Sequence, residues 1–244
     1  MTELELQVPF SGVDPRGKVK FGVLLEMFQE MADVDASQYG LSVRQTLESG
    51  ITWVLRSYRV DIKRYPDKAD KALNIRTWHE PYRNLFSLRT FDFCAGKEYL
   101  GRASTWWVLL DIAKMRPLRL DKSGIYNTDA ERILEEMPSE VKVPSLQAAQ
   151  IEQLWRVRWQ DLDVNAHTNH AVYFGWALDT VPFEVPETLS PVLVEGEFLH
   201  PVPRAEVTVK TEETGSLDGA RVFLHSLQTP EGGLEYAKLK SVWK

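Results

Sequence analysis

Between Arg158 and His170 the chain reads Arg-Trp-Gln-Asp-Leu-Asp-Val-Asn-Ala-His-Thr-Asn-His, a run rich in side chains that can do chemistry. Asp163, Asn165 and His167 alternate, so on extended or turn-like backbone their side chains can converge on one side. A carboxylate, an amide and an imidazole together offer a nucleophile or base, an orienter and a proton shuttle. A helix beginning just after them would add free backbone N–H groups and a positive dipole end, which favour an oxyanion. Capping competes with this reading, because Asp, Asn and Thr before a helix are common caps, and Asp161 and Thr168 are read that way. One residue suffices to cap a helix, so the three alternating groups are read as a site. His167 and His170 with Asp163 nearby lack further ligands to close a shell, so neither metal nor cofactor is expected.

A helix and a sheet must hold these groups. Leu24, Leu25, Phe28, Met31, Ala32 and Val34 recur at spacings of three and four, which predicts a helix over 20–39 capped by Gly40. Residues before it read as a loop. Alternation broken by turn residues predicts strands over 51–62, 72–78, 84–93 and 99–110. From 111 to 150 the alternation stops, and a short helix is expected over 130–137. The layout then returns, with a strand over 154–159, a helix over 170–181, and strands over 192–198, 205–211, 220–228 and 234–243.

The return extends to single residues. Asp14-Pro-Arg16-Gly-Lys18 precedes the first helix as Asp163-Val-Asn165-Ala-His167 precedes the second, 149 positions on. Segments 96–107 and 232–243 also match, 136 positions apart. We therefore expect a first unit over 1–120, a linker over 121–150 and a second unit over 151–244. A long helix covering the concave face of a curled antiparallel sheet is the hotdog arrangement. The expected fold class is α+β, a tandem (double) hotdog. Such units pair, and a duplicated chain can supply its own pair; a homodimer of chains is also compatible. The first copy keeps the acid but carries Arg16 and Lys18, so it reads as catalytically silent.

Composition narrows the function classes. A net charge of −6 argues against nucleic-acid binding by bulk electrostatics. A single cysteine, Cys94, rules out a disulfide framework and a multi-cysteine metal centre. No apolar run approaches the ~18 residues of a membrane span, and the first ten residues lack the layout of a signal peptide. The expectation is a cytoplasmic protein without stable membrane insertion.

The string from Trp159 to Trp176, Trp-Gln-Asp-Leu-Asp-Val-Asn-Ala-His-Thr-Asn-His-Ala-Val-Tyr-Phe-Gly-Trp, resembles the acyl-ACP thioesterase signature W-x-D-x-D-x-N-x-H-x-N-N-x-x-Y-x-x-W. Gly50-Ile-Thr-Trp-Val-Leu55, Arg64-Tyr-Pro66, Ile75-Arg-Thr-Trp78 and Ala103-Ser-Thr-Trp-Trp-Val108 running into Arg116-Pro117 resemble the same family in the same order. The resemblance implies hydrolysis of the thioester joining a fatty acyl chain to acyl carrier protein, which makes that carrier the expected partner. It implies catalytic roles for Asp163 as nucleophile or base, Asn165 as the group holding it, and His167 as activator of water or carrier of the thiol proton. By analogy the first unit would hold the acyl chain, with Leu24, Phe28, Met31 and Trp53 as pocket walls; plain core competes with that reading.

One departure stands out. The family carries a further acid and a cysteine on the strand after the second helix, and those positions fall on Pro201 and Val202. Glu197 or His200 would then supply the missing group, or Asp163 and His167 suffice, or activity is reduced. Of the two, His200 is expected nearer the motif, through a bend at Pro201. Docking an acidic carrier onto an acidic protein calls for a local basic patch, and Lys114, Arg116 and Arg119 with Arg156 and Arg158 are the candidates. Two rival readings stay open: an acyl-CoA thioesterase with the same residues, and a non-catalytic acyl-binding protein.

Overall fold

Helix α1 (Phe21–Ser37) forms where the apolar spacing places it, and its buried stripe of Leu24, Leu25, Phe28 and Met31 faces a sheet. The computed structural model describes residues 1–123, 138–217 and 219–244, and the helix expected over 130–137 lies outside them. In chain order the elements are β1 (Thr2–Gln7), α1, α2 (Val43–Glu48), β2 (Ile51–Ile62), β3 (Ala72–Tyr82), β4 (Phe86–Ala95), β5 (Glu98–Asp111) and β6 (Arg116–Pro117). The second half adds β7 (Ile151–Arg156), α3 (His170–Leu178), α4 (Glu184–Thr188), β8 (Pro191–Phe198), β9 (Glu206–Leu217), β10 (Ala220–Gln228) and β11 (Glu235–Trp243).

All the strands join one antiparallel sheet in the order β1-β3-β4-β5-β2-β8-β11-β10-β9-β7, with β6 paired to β5. Each half repeats the same order outward from the seam. At the seam Ser57 to Asp61 of β2 pair with Glu197 to Leu193 of β8, so the halves share backbone hydrogen bonds. This is the hotdog arrangement twice over, with α1 and α3 side by side on one face. Phe28 packs on Phe91 and Phe93 with ring centroids 5.1 and 5.4 Å apart, and Phe21 meets Phe174 across the halves at 5.8 Å. Each fully buried Leu or Phe of this cluster contributes about 1.5–3 kcal/mol.

Besides the unforeseen α4, a β7 that begins three residues early and longer β3 and β9, three further elements differ from expectation. Residues 2–7 are not loop but an edge strand, β1, whose Leu4 and Leu6 alternate with Glu3 and Glu5. Helix α2 was not foreseen; Ser42 and Gln45 form a reciprocal capping box at its start. Helix α3 stops at Leu178 rather than 181, because Thr180 folds its hydroxyl back onto the Ala177 carbonyl and Pro182 follows.

The duplication reaches the buried polar core. In the second half His225 is wholly buried, hydrogen-bonded through Nδ1 to Thr211 Oγ1 (2.8 Å) and through Nε2 to Ser241 Oγ (3.0 Å), while Trp243 Nε1 donates to Ser241. In the first half Arg89 takes the place of His225, and Trp107 Nε1 donates to Thr105. Burial lowers the His225 pKa to about 3, so the imidazole stays neutral in the folded protein. Unfolded, it takes up a proton below about pH 6.5. Stability is therefore expected to fall as pH drops from about 6.5 toward 3, by up to about 1.4 kcal/mol per pH unit from this group. Urea midpoints measured from pH 7 to 5 should decline less steeply in His225→Gln than in the parent. An unchanged slope would count against the assignment.

Candidate active site

The motif closes a tight hairpin between a single 3-10 turn at Trp159–Asp161 and the start of α3. Leu162 bridges to Thr168, and the Asp163 N–H donates to the His167 carbonyl at 2.8 Å. Asp163 Oδ1 accepts the backbone N–H groups of Asn165 (2.8 Å) and His167 (3.2 Å). One carboxylate oxygen thus builds the turn. Among the described residues the other has no hydrogen bond. Ala166 sits at φ +59°, a left-handed conformation that costs a non-glycine residue roughly 1 kcal/mol or more and turns the chain sharply between Asn165 and His167. The Asn165 Oδ1 is shielded from solvent without a hydrogen-bond partner among the described residues, and His167 is exposed.

The first copy has the same backbone and different chemistry. Val13 bridges to Val19, the Asp14 N–H donates to the Lys18 carbonyl at 2.8 Å, and Gly17 stands at φ +75° where Ala166 stands in the second. Asp14 Oδ1 accepts the Lys18 N–H. Arg16, at the position of Asn165, donates to the Pro186 carbonyl at 2.7 Å and to that of Leu189, at the end of α4. Lys18 pairs with Asp67 at 3.3 Å. The first hairpin is therefore tied to its surroundings.

Asp161 takes a structural role as expected, but α3 is capped by Asn169 rather than Thr168. Arg158 holds Asp161 through its backbone N–H (2.7 Å) and guanidinium (2.8 Å), and the Asp161 carbonyl accepts the Asn169 N–H. Asn169 caps α3 by accepting the Ala171 N–H, and its Nδ2 donates to Gln29 Oε1 of α1 at 3.1 Å. The first half thus reaches the edge of the motif. Tyr173, without an expected role, and Thr168, expected as a cap, close it from the other side. Tyr173 OH accepts the Val202 N–H at 2.8 Å, and Thr168 Oγ1 donates to the Val202 carbonyl at 3.2 Å. Burial, together with the nearby Asp163 charge and against the Val202 N–H, pushes the Tyr173 pKa up to about 12. A tyrosine on an otherwise apolar helix face was the signal available in sequence.

The candidates for a fourth group do not reach the motif. Glu197 faces the opposite side of the sheet from α3, where it accepts Lys142 Nζ (2.8 Å) and the Val143 N–H (3.2 Å) from the segment strapped across the outer surface. Its strand neighbour Phe198 is the one that meets Tyr173 and Phe174. His200 is exposed; its backbone N–H bonds the Tyr236 carbonyl, and its side chain makes no hydrogen bond among the described residues. The bend at Pro201 instead brings Val202 inward, fully buried.

The four proposed pocket walls do not form one surface. Leu24, Phe28 and Met31 are fully buried in the main core, whereas Trp53 packs with Leu41, Ile51 and Leu109 in a separate cluster and donates to the Leu41 carbonyl at 3.2 Å. A cavity of about 250 Å³ lies at Tyr82, Phe86, Trp106, Pro138, Ser139 and Glu140, and no motif residue lines it. Among the described residues no group of three or more His, Cys, Asp or Glu is placed to hold a metal ion, and no helix is long and apolar enough to cross a membrane. Of the basic candidates, Lys114 pairs with Asp111, Arg119 with Asp121 and Arg158 with Asp161. Arg116 and Arg156 are exposed without an ion pair among the described residues.

Cys94 stands half-buried at the end of β4, and burial raises its pKa, so little thiolate forms at neutral pH. Replacing it by Ser is expected to leave turnover within about twofold, and thiol-blocking reagents should not abolish activity. Protection of Cys94 from labelling by substrate would contradict its placement outside the site.

Comparison with known proteins matches two family models in tandem. The acyl-ACP thioesterase N-terminal domain matches residues 1–126 and the C-terminal domain residues 145–244. An oleoyl-acyl carrier protein thioesterase of Arabidopsis thaliana is 24% identical over 301 aligned positions, covering 96% of this chain and 82% of that protein. A palmitoyl-acyl carrier protein thioesterase of Cuphea hookeriana is 29% identical over 206, covering 80% of this chain; the chain spans only about half of that relative, 49%. Among solved structures, a putative oleoyl thioesterase from Lactobacillus plantarum superposes with a TM-score of 0.86 at 19% identity, covering 99% of this chain and 95% of the other, which shows a shared fold.

Proposed function

The chain belongs to the acyl-ACP thioesterase family, and from that premise we propose that it hydrolyses the thioester between a fatty acyl chain and acyl carrier protein, ending chain elongation. The observation that carries the reading is the asymmetry of two equivalent hairpins. Both keep a carboxylate oxygen without a hydrogen bond among the described residues; the second adds a shielded amide oxygen without a partner there and an exposed imidazole, where the first has cations already tied elsewhere.

In the reaction, water adds across the carbon–sulfur bond, the hydroxyl to the acyl carbon and the proton to the departing thiolate. Asp163 turns its free oxygen to the thioester, with Asn165 holding the carboxylate and His167 moving the proton between water and sulfur. The positive end of α3 stabilises charge developing on the carbonyl oxygen. Two routes are open to the Asp163 oxygen: direct attack, giving an acyl-Asp anhydride, and proton abstraction from water. Label in the aspartate after a single turnover in ¹⁸O-water marks direct attack followed by opening of the anhydride at the aspartyl carbon. The first half reaches the edge of the site through Gln29 of α1, which accepts from Asn169.

The test is thiol release over a panel of acyl-ACP chain lengths, with the matching acyl-CoA series alongside. Release from acyl-ACP at a kcat/KM well above that for acyl-CoA supports the proposal. Tight acyl binding without release would replace it with the non-catalytic reading, which the buried apolar side chain of Val202 at the family's cysteine position favours.

A further inference from the structure

We propose that the carrier protein docks on the surface formed by Trp159, Val164, Arg156, Arg158 and Arg204, on the rim of the motif hairpin. The inference rests on the carrier reading above and adds the surface that recognises it.

Trp159 is 81% exposed in the turn that leads into the motif, and Val164, at the hairpin tip, is also 81% exposed. Large apolar side chains this open beside a reactive site suit a partner that covers them. The Arg204 guanidinium lies 5.3 Å from the centre of the Trp159 ring, so the indole carries a cation on its face. Arg156 projects from edge strand β7 with no ion pair among the described residues, although Glu206 stands opposite it in register. Arg158 keeps 63% of its side chain exposed while holding Asp161, which fixes the turn beneath the tryptophan. The platform is preorganised.

The duplication supplies an internal control. At the matching positions of the first half stand Gln7, Pro9 and Phe10, with Phe10 98% exposed. The apolar knob is therefore common to both copies, and Arg156 and Arg158 have no cationic counterpart in the first. Three of the first-copy cations nearby are already engaged: Arg16 with α4, Lys18 with Asp67, and Lys20 Nζ with the Ser11 carbonyl. A carrier that delivers its thioester on an arm must sit at the rim of the working site. An acidic surface with an apolar centre complements this rim in charge and shape.

The experiment compares palmitoyl-ACP with palmitoyl-pantetheine, which shares the reacting bond and lacks the carrier. The double variant Arg156→Glu/Arg204→Glu, and separately Trp159→Ala, should raise KM for palmitoyl-ACP about tenfold or more and leave kcat/KM for palmitoyl-pantetheine within about twofold. The salt dependence of the parent on palmitoyl-ACP should flatten in the double variant. An unchanged KM for palmitoyl-ACP, or equal losses on both substrates, overturns the proposal. If the parent hydrolyses neither, direct titration with holo-acyl carrier protein decides: binding lost in the double variant supports the surface, and absence of binding to the parent overturns it.

Discussion

Asp163→Asn should abolish thiol release and leave the fold intact. The Asp163 Oδ1 accepts two backbone N–H groups, and the amide oxygen of Asn can accept both, so the hairpin survives while the negative charge is lost. His167→Ala should lower the rate by roughly 10²–10⁴-fold, the usual scale for a lost proton-transfer group. Asp14→Asn is the matched control, because Asp14 holds the same turn in the first half and should be dispensable for hydrolysis. Far-UV circular dichroism and urea midpoints should match the parent for all three. Hydrolysis near the parental rate in Asp163→Asn would remove the carboxylate from the mechanism.

The largest expected effect on stability comes from Asp35. It is wholly buried on α1, accepting Arg89 (2.9 Å) and Thr2 (2.7 Å) and lying 3.3 Å from His79 Nδ1. Burial pushes its pKa up, but the bonds to His79, Arg89 and Thr2 outweigh it and hold the carboxyl well below the usual range. Asp35→Ala leaves the Arg89 guanidinium buried without its carboxylate, a change expected to cost about 3–5 kcal/mol. The folded carboxylate contributes stability above the unfolded pKa of about 4 and loses it as pH falls below that value. Urea unfolding at pH 7 and at pH 3.5 should therefore show a smaller gap between parent and variant at the lower pH. A variant within 1 kcal/mol of the parent at pH 7 would mean that Arg89 finds another partner (about a fivefold change in the folding constant).

Much of the fold was legible because it follows from local patterns. Strand alternation located β2, β5, β10 and β11 within a residue or two, and the spacing of Leu24, Phe28 and Met31 located α1. The repeat at 149 positions held down to individual hydrogen bonds in the two hairpins. What escaped depended on long-range packing. The sequence shows that Glu197 and Phe198 point to opposite faces, but the face carrying α3 is set by partners on other strands. Trp53 sits in a strand as expected, and only the placement of Leu41 and Leu109 draws it away from the main core. Glu197 is held by Lys142 and Val143 in a segment without periodicity. Strand β1 was missed although its alternation was present, since an edge strand with glutamates on its open side looks like polar loop.

Arg16 shows what became of a redundant copy. On the proposed mechanism the first hairpin is free of the chemistry while its turn is kept. In place of an amide it carries a guanidinium that buckles the first half onto the end of α4 in the second. On that mechanism the symmetry of the two copies is divided into labour, one loop for reacting and one for fastening.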